Sequence, residues 1–153
     1  MKSCKAVLAA GAFGMLVSLS PNSQGAENPA IKTMADYLAF VDYGGGTIGP
    51  EQIPAADWKR FHVVDTRDAA QYAKGHIPDA VNIEWRQVLE RREELPGDKP
   101  ILLYCNTGSL SAQAGFALRV AGMDNVQMLQ GGYEGWKAKG GFDAHQRASK
   151  NQP

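Results

Sequence analysis

The sequence predicts an α/β fold in which a small parallel sheet carries helices on both faces. Three observations predict it. Short apolar or β-branched runs recur at Phe61–Asp65, Ala80–Ile83, Ile101–Tyr104 and Val126–Leu129. Segments of helical spacing or composition lie between and around them. Glycines close the helical segments at Gly75 and Gly122, and Pro96-Gly97-Asp98 makes a turn. Strands that alternate with helices pack as parallel strands sandwiched between helical layers.

The elements follow in order. Met1–Lys5 carries two lysines, Ala6–Leu19 is an apolar run, and Pro21–Ala26 is polar and ends in small residues. That layout is a secretory leader, residues 1–25, with cleavage expected after Gly25. The apolar run is too short to span a bilayer comfortably. The mature chain is therefore expected to be periplasmic or secreted, with no membrane association after cleavage. Residues 26–46 form an N-terminal helix and a glycine hinge. Ile31, Met34, Leu38 and Val41 recur at helical spacing, and Gly44-Gly45-Gly46 breaks the pattern.

The main domain is expected over residues 47–140. Thr47-Ile48 begins an edge strand, and Gly49-Pro50-Glu51 starts a brief helix that Pro54 interrupts. Phe61–Asp65 is a buried-type strand, and Arg67–Lys74 a short helix. Trp85–Leu95 reads as a charged helix with Glu90–Glu94 on a solvated face. Ile101–Tyr104 is the most apolar strand and should be central. Ser109–Ala121 reads as a helix facing the core with Ala112, Phe116 and Val120, and Leu118 also reads as core. Tyr133–Lys139 is the last helix, with Trp136 in the core. Residues 141–153 read as a polar, mobile tail.

Composition limits the function. The 153 residues are 44% hydrophobic and 21% charged, with zero formal net charge. Loss of Lys2 and Lys5 with the leader leaves 14 of the 16 basic residues against 16 acidic ones, a net charge of −2. No basic surface argues for nucleic acid. Loss of Cys4 leaves Cys105 as the one cysteine. An exported chain with one thiol forms no internal disulfide, so the thiol is buried and inert, paired with another molecule, or used chemically.

Cys105 ends the central strand, where open parallel sheets bind ligands. Asn106, Thr107, Gly108, Ser109, Leu110 and Ser111 follow, with no cationic side chain among them. Between a strand end and a helix start, their backbone N–H groups can curl into an anion-binding nest around the sulfur. The helix N-terminus adds positive partial charge, so main-chain dipoles should lower the thiol pKa. Gly108 supplies the positive φ of a tight loop, and Thr107, Ser109 and Ser111 add hydroxyls. A Cys-x5-Arg phosphatase loop is excluded, because the sixth residue after Cys105 is Ser111. The three histidines, His62, His76 and His145, lack metal-ligand spacing, and the glycine run lacks the Lys and Ser/Thr of a P-loop. Neither metal nor cofactor is expected.

Three stretches together resemble the rhodanese sulfurtransferase family. They are VVDTRDAAQYAKGHIPDAVNI (Val63–Ile83), LLYCNTGSLSAQAGFAL (Leu102–Leu118) and LQGGYEGWKAKG (Leu129–Gly140). The resemblance implies a rhodanese-like fold and a ping-pong reaction. Cys105 would take the outer sulfur of a small sulfur-containing anion such as thiosulfate, carry it as a persulfide, and yield it to cyanide or a thiol. Two other readings stand beside it: a domain that binds an anion or thiol without turnover, and a relay that hands sulfur to a partner protein. Many thiosulfate-using relatives carry Arg or Lys in the loop. CNTGSLS has neither, so weak thiosulfate affinity or another donor, such as a persulfide, is expected. Arg67 and Arg86 are the cations able to reach the site from neighbouring segments. Asp65 reads as the cap of a strand-to-helix turn, Arg67 as the partner of a carboxylate that fixes the loops, and His76 as a structural hydrogen-bonding group. Trp85 reads equally as a wall of the site or as packing.

Overall fold

A computed structural model describes residues 28–150. The expected leader, residues 1–25, and Cys4 within it lie outside the described residues. Five strands form one parallel sheet: β1 (Thr47–Ile48), β2 (His62–Asp65), β3 (Val81–Asn82), β4 (Ile101–Tyr104) and β5 (Val126–Leu129), in the order β1-β5-β4-β2-β3. The helices are α1 (Pro29–Phe40), α2 (Ala69–Lys74), α3 (Ser109–Val120), α4 (Gly132–Lys139) and α5 (Ala144–Lys150).

β4 is central because all four of its side chains are fully buried. Strand geometry sends alternate residues to opposite faces. Ile101 and Leu103 join Val64, Ala114, Leu118 and Val126 on one face, under α3. Leu102 and Tyr104 join Val63, Ile77 and Leu129 on the other, under Tyr72 of α2 and Tyr133 and Trp136 of α4. Helices thus cover both faces, as the alternation of elements requires.

The buried face of α3 is Ser111, Ala114, Gly115 and Leu118, at i, i+3, i+4 and i+7. The register expected through Ala112, Phe116 and Val120 is displaced by one position. Small residues face the sheet because α3 lies close to it: a Cβ on Gly115 would collide with the sulfur of Met128. Phe116 instead meets Tyr37 of α1 edge-on, with ring centroids 5.3 Å apart.

That contact seats α1 on the domain by its Tyr37 side. Ile31 and Leu38 are 58% and 64% exposed, so the apolar stripe points outward. Tyr37 is the anchor, with the Arg119 guanidinium 5.8 Å from its ring centre. The glycine hinge is partly docked, since the Gly46 carbonyl accepts from the Met128 amide at 2.9 Å.

Three other segments differ from the sequence reading. Trp85–Leu95 is not one helix: two short 3-10 turns, Trp85–Gln87 and Arg92–Glu94, flank an irregular stretch. Val88 and Leu95 both reach the core from this stretch. A 3-10 helix over Ala55–Arg60, with Trp58 buried, was not anticipated. The expected polar tail is also structured: Gly141–Asp143 forms a 3-10 turn and α5 follows it. Phe142 packs edge-on against Trp58 and Trp136, with centroids 5.2 and 5.3 Å away, and His145 Nδ1 lies 2.8 Å from the Glu51 carbonyl. A single aromatic and a buried Ala144 suffice to dock a segment whose composition is otherwise polar.

Phe142→Ala is expected to lower the unfolding free energy by about 2 kcal/mol, the scale of losing a partly buried ring. Urea titration monitored by tryptophan fluorescence measures it.

Candidate active site

The site is assembled where β2 and β4 end side by side. Asp65 and Tyr104 are register partners, and Cys105 is the next residue. Its Sγ accepts the Gly108 N–H at 3.2 Å and lies 3.8 Å from the Ser111 hydroxyl. Burial raises the thiol pKa. The backbone N–H groups of Ser111, Gly108 and Thr107, with the Ser111 hydroxyl, outweigh that effect and bring it below the ordinary value. Main-chain dipoles therefore favour the thiolate with no cation on the sulfur. Cys105 is only 2% exposed, so a reagent has to enter the ring of amides to meet the sulfur.

Gly108 has φ +107° and caps α3 without a side chain, so the chain can reverse around the sulfur. Ser111 Oγ also donates to the Gly108 carbonyl at 3.0 Å, which ties the loop to the first turn of α3. The Thr107 and Ser109 hydroxyls are 3.5 Å from each other and make no bond to the sulfur. Leu110 is half-buried.

The loop is held from behind by two groups. The first is α4, whose Tyr133 and Glu134 amides donate to the Cys105 and Asn106 carbonyls at 2.8 and 3.0 Å. This approach demands glycine: a Cβ on Gly132 would lie within 2.7 Å of the Cys105 and Asn106 backbone, at φ +58°. The second is Arg67. Its Nε is 2.9 Å from Asp65 Oδ1, and its terminal nitrogens reach the Gly75 carbonyl at 2.7 Å and Asn106 Oδ1 at 3.3 Å. The guanidinium carbon also lies 4.5 Å from the centre of the Tyr133 ring. The bond to Asp65 raises the Arg67 pKa further.

Other expected residues fall in different places. Asp65 Oδ1 accepts the Arg67 amide at 3.0 Å and so caps the strand-to-helix turn, while the N-cap of α2 itself is Asp68, which accepts the Gln71 amide at 2.9 Å. His76 stacks on Tyr72 with centroids 3.9 Å apart, and its Nδ1 lies 2.9 Å from the Tyr72 carbonyl. Trp85 packs against the core on the α3 side. Arg86 is held by Glu84 at 2.9 Å and makes no hydrogen bond to the loop. Sequence reasoning missed Asn82, whose amide donates to the Asp65 and Arg67 carbonyls at 2.9 and 2.8 Å. It also missed Gln71, which accepts from Asn106 at 2.6 Å. Both lie inside the Val63–Ile83 stretch, but neither has a local pattern that distinguishes it from a surface amide. Among the described residues, no group of three or more His, Cys, Asp or Glu side chains converges as a metal site.

A strand-end thiol in a ring of amides, braced by a buried Asp–Arg pair, defines a class of α/β domains with a cysteine loop. The rhodanese-like domain profile matches residues 51–139, and the chain belongs to that family. It is 33% identical over 91 residues to the thiosulfate sulfurtransferase GlpE of Pseudomonas savastanoi, covering 60% of this chain and 86% of that one. It is 35% identical over 85 residues to a sulfurtransferase of Allochromatium vinosum, covering 56% and 79%. A rhodanese-related protein from Thermoplasma volcanium superposes with a TM-score of 0.57 at 26% identity, over 62% of this chain and 93% of the other.

Three outcomes test this geometry. Alkylation of Cys105 by iodoacetamide should lose rate as pH falls through a pKa below about 8.5, the free thiol value. Ser111→Ala should move that midpoint up by about half a unit, the scale of one weak donor to a thiolate. Arg67→Ala strands Asp65 as a buried unpaired charge and should cost about 3–5 kcal/mol in urea unfolding.

Proposed function

We propose that the protein is an exported sulfurtransferase in which Cys105 carries the sulfur. The observation that carries this reading is the thiol at the end of the central strand whose sulfur accepts a backbone N–H of the following loop, an arrangement that favours the thiolate. Kinship with named sulfurtransferases supports it.

The Cys105 thiolate attacks the outer sulfur of a donor such as thiosulfate. A new S–S bond forms, the donor's own S–S bond breaks, and sulfite leaves with that bond's electron pair. The amides of Thr107, Gly108 and Ser111 that favour the thiolate also favour the resulting persulfide anion. Cyanide or a thiolate then attacks the terminal sulfur, and Cys105 leaves as the thiolate it began as. Charge and sulfur balance in both halves, and no external oxidant is needed.

The loop lacks a cation, and the Arg67 charge is committed to Asp65. Thiosulfate, a dianion, meets amides and hydroxyls only, so its KM should be high. A monoanionic persulfide donor suits the loop better.

Intact mass spectrometry after incubation with thiosulfate tests the reading. A gain of one sulfur atom is expected on the protein and none on Cys105→Ser, with thiocyanate formation from cyanide lost in that variant. An unchanged mass with every sulfane donor tried would reject it. The protein should appear in the periplasmic fraction with a mass beginning at Ala26, and its confinement to the cytoplasm with residues 1–25 retained would reject the export reading.

A further inference from the structure

A recess of about 540 Å³ opens at the other end of the sheet from Cys105. His62 and Val63, the first residues of β2, line it, whereas Asp65 at the far end of that strand stands beside the cysteine loop. The two ends of the strand are about 10 Å apart. No residue of the Cys105–Ser111 loop lines the recess.

The walls are aromatic: Trp58, Phe61 and Phe142 line it together with Pro78. Trp58 and Phe142 meet edge to face, with centroids 5.2 Å apart and planes at 75°. A further ring entering such a corner packs face to edge as aromatic groups prefer. Trp58 is only 5% exposed, and its Nε1 is buried with no hydrogen-bond partner among the described residues. Buried donors without acceptors are rare in folded proteins.

The rim is charged and uncommitted. Lys59, Lys99 and Asp79 line the recess, and none of them takes part in an ion pair among the described residues. Burial and the Lys99 charge lower the His62 pKa, so that ring is uncharged at neutral pH. Strand order separates the charges. β2 lies between β4 and β3, Lys99 is two residues before β4, and Asp79 is two residues before β3. Lys99 and Asp79 therefore flank His62 from opposite sides. Two ammonium groups against one carboxylate favour a ligand with one anionic group, and Asp79 repels a second.

We infer that this recess is a binding site for a small planar aromatic monocarboxylate, with its ring in the Trp58–Phe142 corner and its carboxylate at Lys59 and Lys99. The inference is independent of the sulfur-transfer reading of Cys105. The volume falls in the range of small-molecule sites. An aliphatic carboxylate would leave the aromatic walls wet, and a neutral arene would leave both ammonium groups unpaired. Only a ring that carries one negative charge uses both halves of the recess.

The test titrates cinnamate, to millimolar concentration, into the isotope-labelled protein and follows its amide and indole resonances. Saturable shifts are expected at the Trp58 indole N–H and at the His62 and Lys99 amides. Cinnamyl alcohol, which has the same ring and no charge, should bind about tenfold more weakly, since it lacks two exposed charge contacts worth a few-fold each. Lys59→Glu/Lys99→Glu should weaken cinnamate by at least the same factor and leave the alcohol unchanged, which also shows that the variant is folded. Absence of saturable shifts at these positions overturns the inference. So does equal affinity of the native protein for cinnamate and the alcohol. Shifts confined to Gly108 and Ser111 would put the carboxylate in the ring of amides around Cys105, and they overturn it as well.

Discussion

The buried ion pair of Asp65 and Arg67 is the constraint on which the rest of the site depends. Asp65 is fully buried and Arg67 is 5% exposed, so neither charge has water as an alternative partner. Burying two charges costs several kcal/mol each unless geometry and further hydrogen bonds compensate. The compensation comes from four segments at once: the end of β2, the Gly75 carbonyl after α2, Asn106 of the cysteine loop, and the Tyr133 ring of α4. Moving any one of them leaves a buried charge without part of its solvation. The pair therefore fixes the place where the loop begins.

That arrangement separates two electrostatic tasks. The guanidinium holds structure and is neutralised by its own carboxylate. The sulfur is served by backbone dipoles, which carry no net charge and cannot be titrated. A thiolate held this way stays reactive, since no counter-ion has to be displaced before it attacks. The same ring of amides is indifferent to what lies on the far side of the sulfur. Discrimination between donors and acceptors then falls to side chains around the loop rather than within it. Glycines make this possible: Gly108 reverses the chain, and Gly132 lets α4 press its amides against the loop carbonyls.

The family domain is extended at both ends. After it, α5 is fastened by Phe142 between two tryptophans and by His145 against Glu51. Before it, α1 is fastened by Tyr37 on Phe116. In each case aromatic contacts set the docking, and the periodic pattern of the segment does not. This is why the helical spacing of Ile31, Met34 and Leu38 does not mark the face of α1 that meets the domain. Spacing reports which residues share a face, but a helix lying over a finished domain is oriented by the partner's surface.

The sequence by itself determined the sheet, the place of Cys105 after its central strand, and the absence of a cation from the loop. These are local or periodic properties: four apolar β4 residues in a row have to be buried on both sides, and a missing charge is visible without coordinates. The tertiary structure alone decided which carboxylate pairs with Arg67: Asp65 takes it, while Asp68 begins α2. It alone decided that α3 faces the sheet through Ser111, Ala114, Gly115 and Leu118, because the available gap rather than hydrophobicity selects small residues there. It alone brought Gln71 and Tyr133 to the loop. Those contacts join positions tens of residues apart, and no one-dimensional pattern records a meeting that only packing creates.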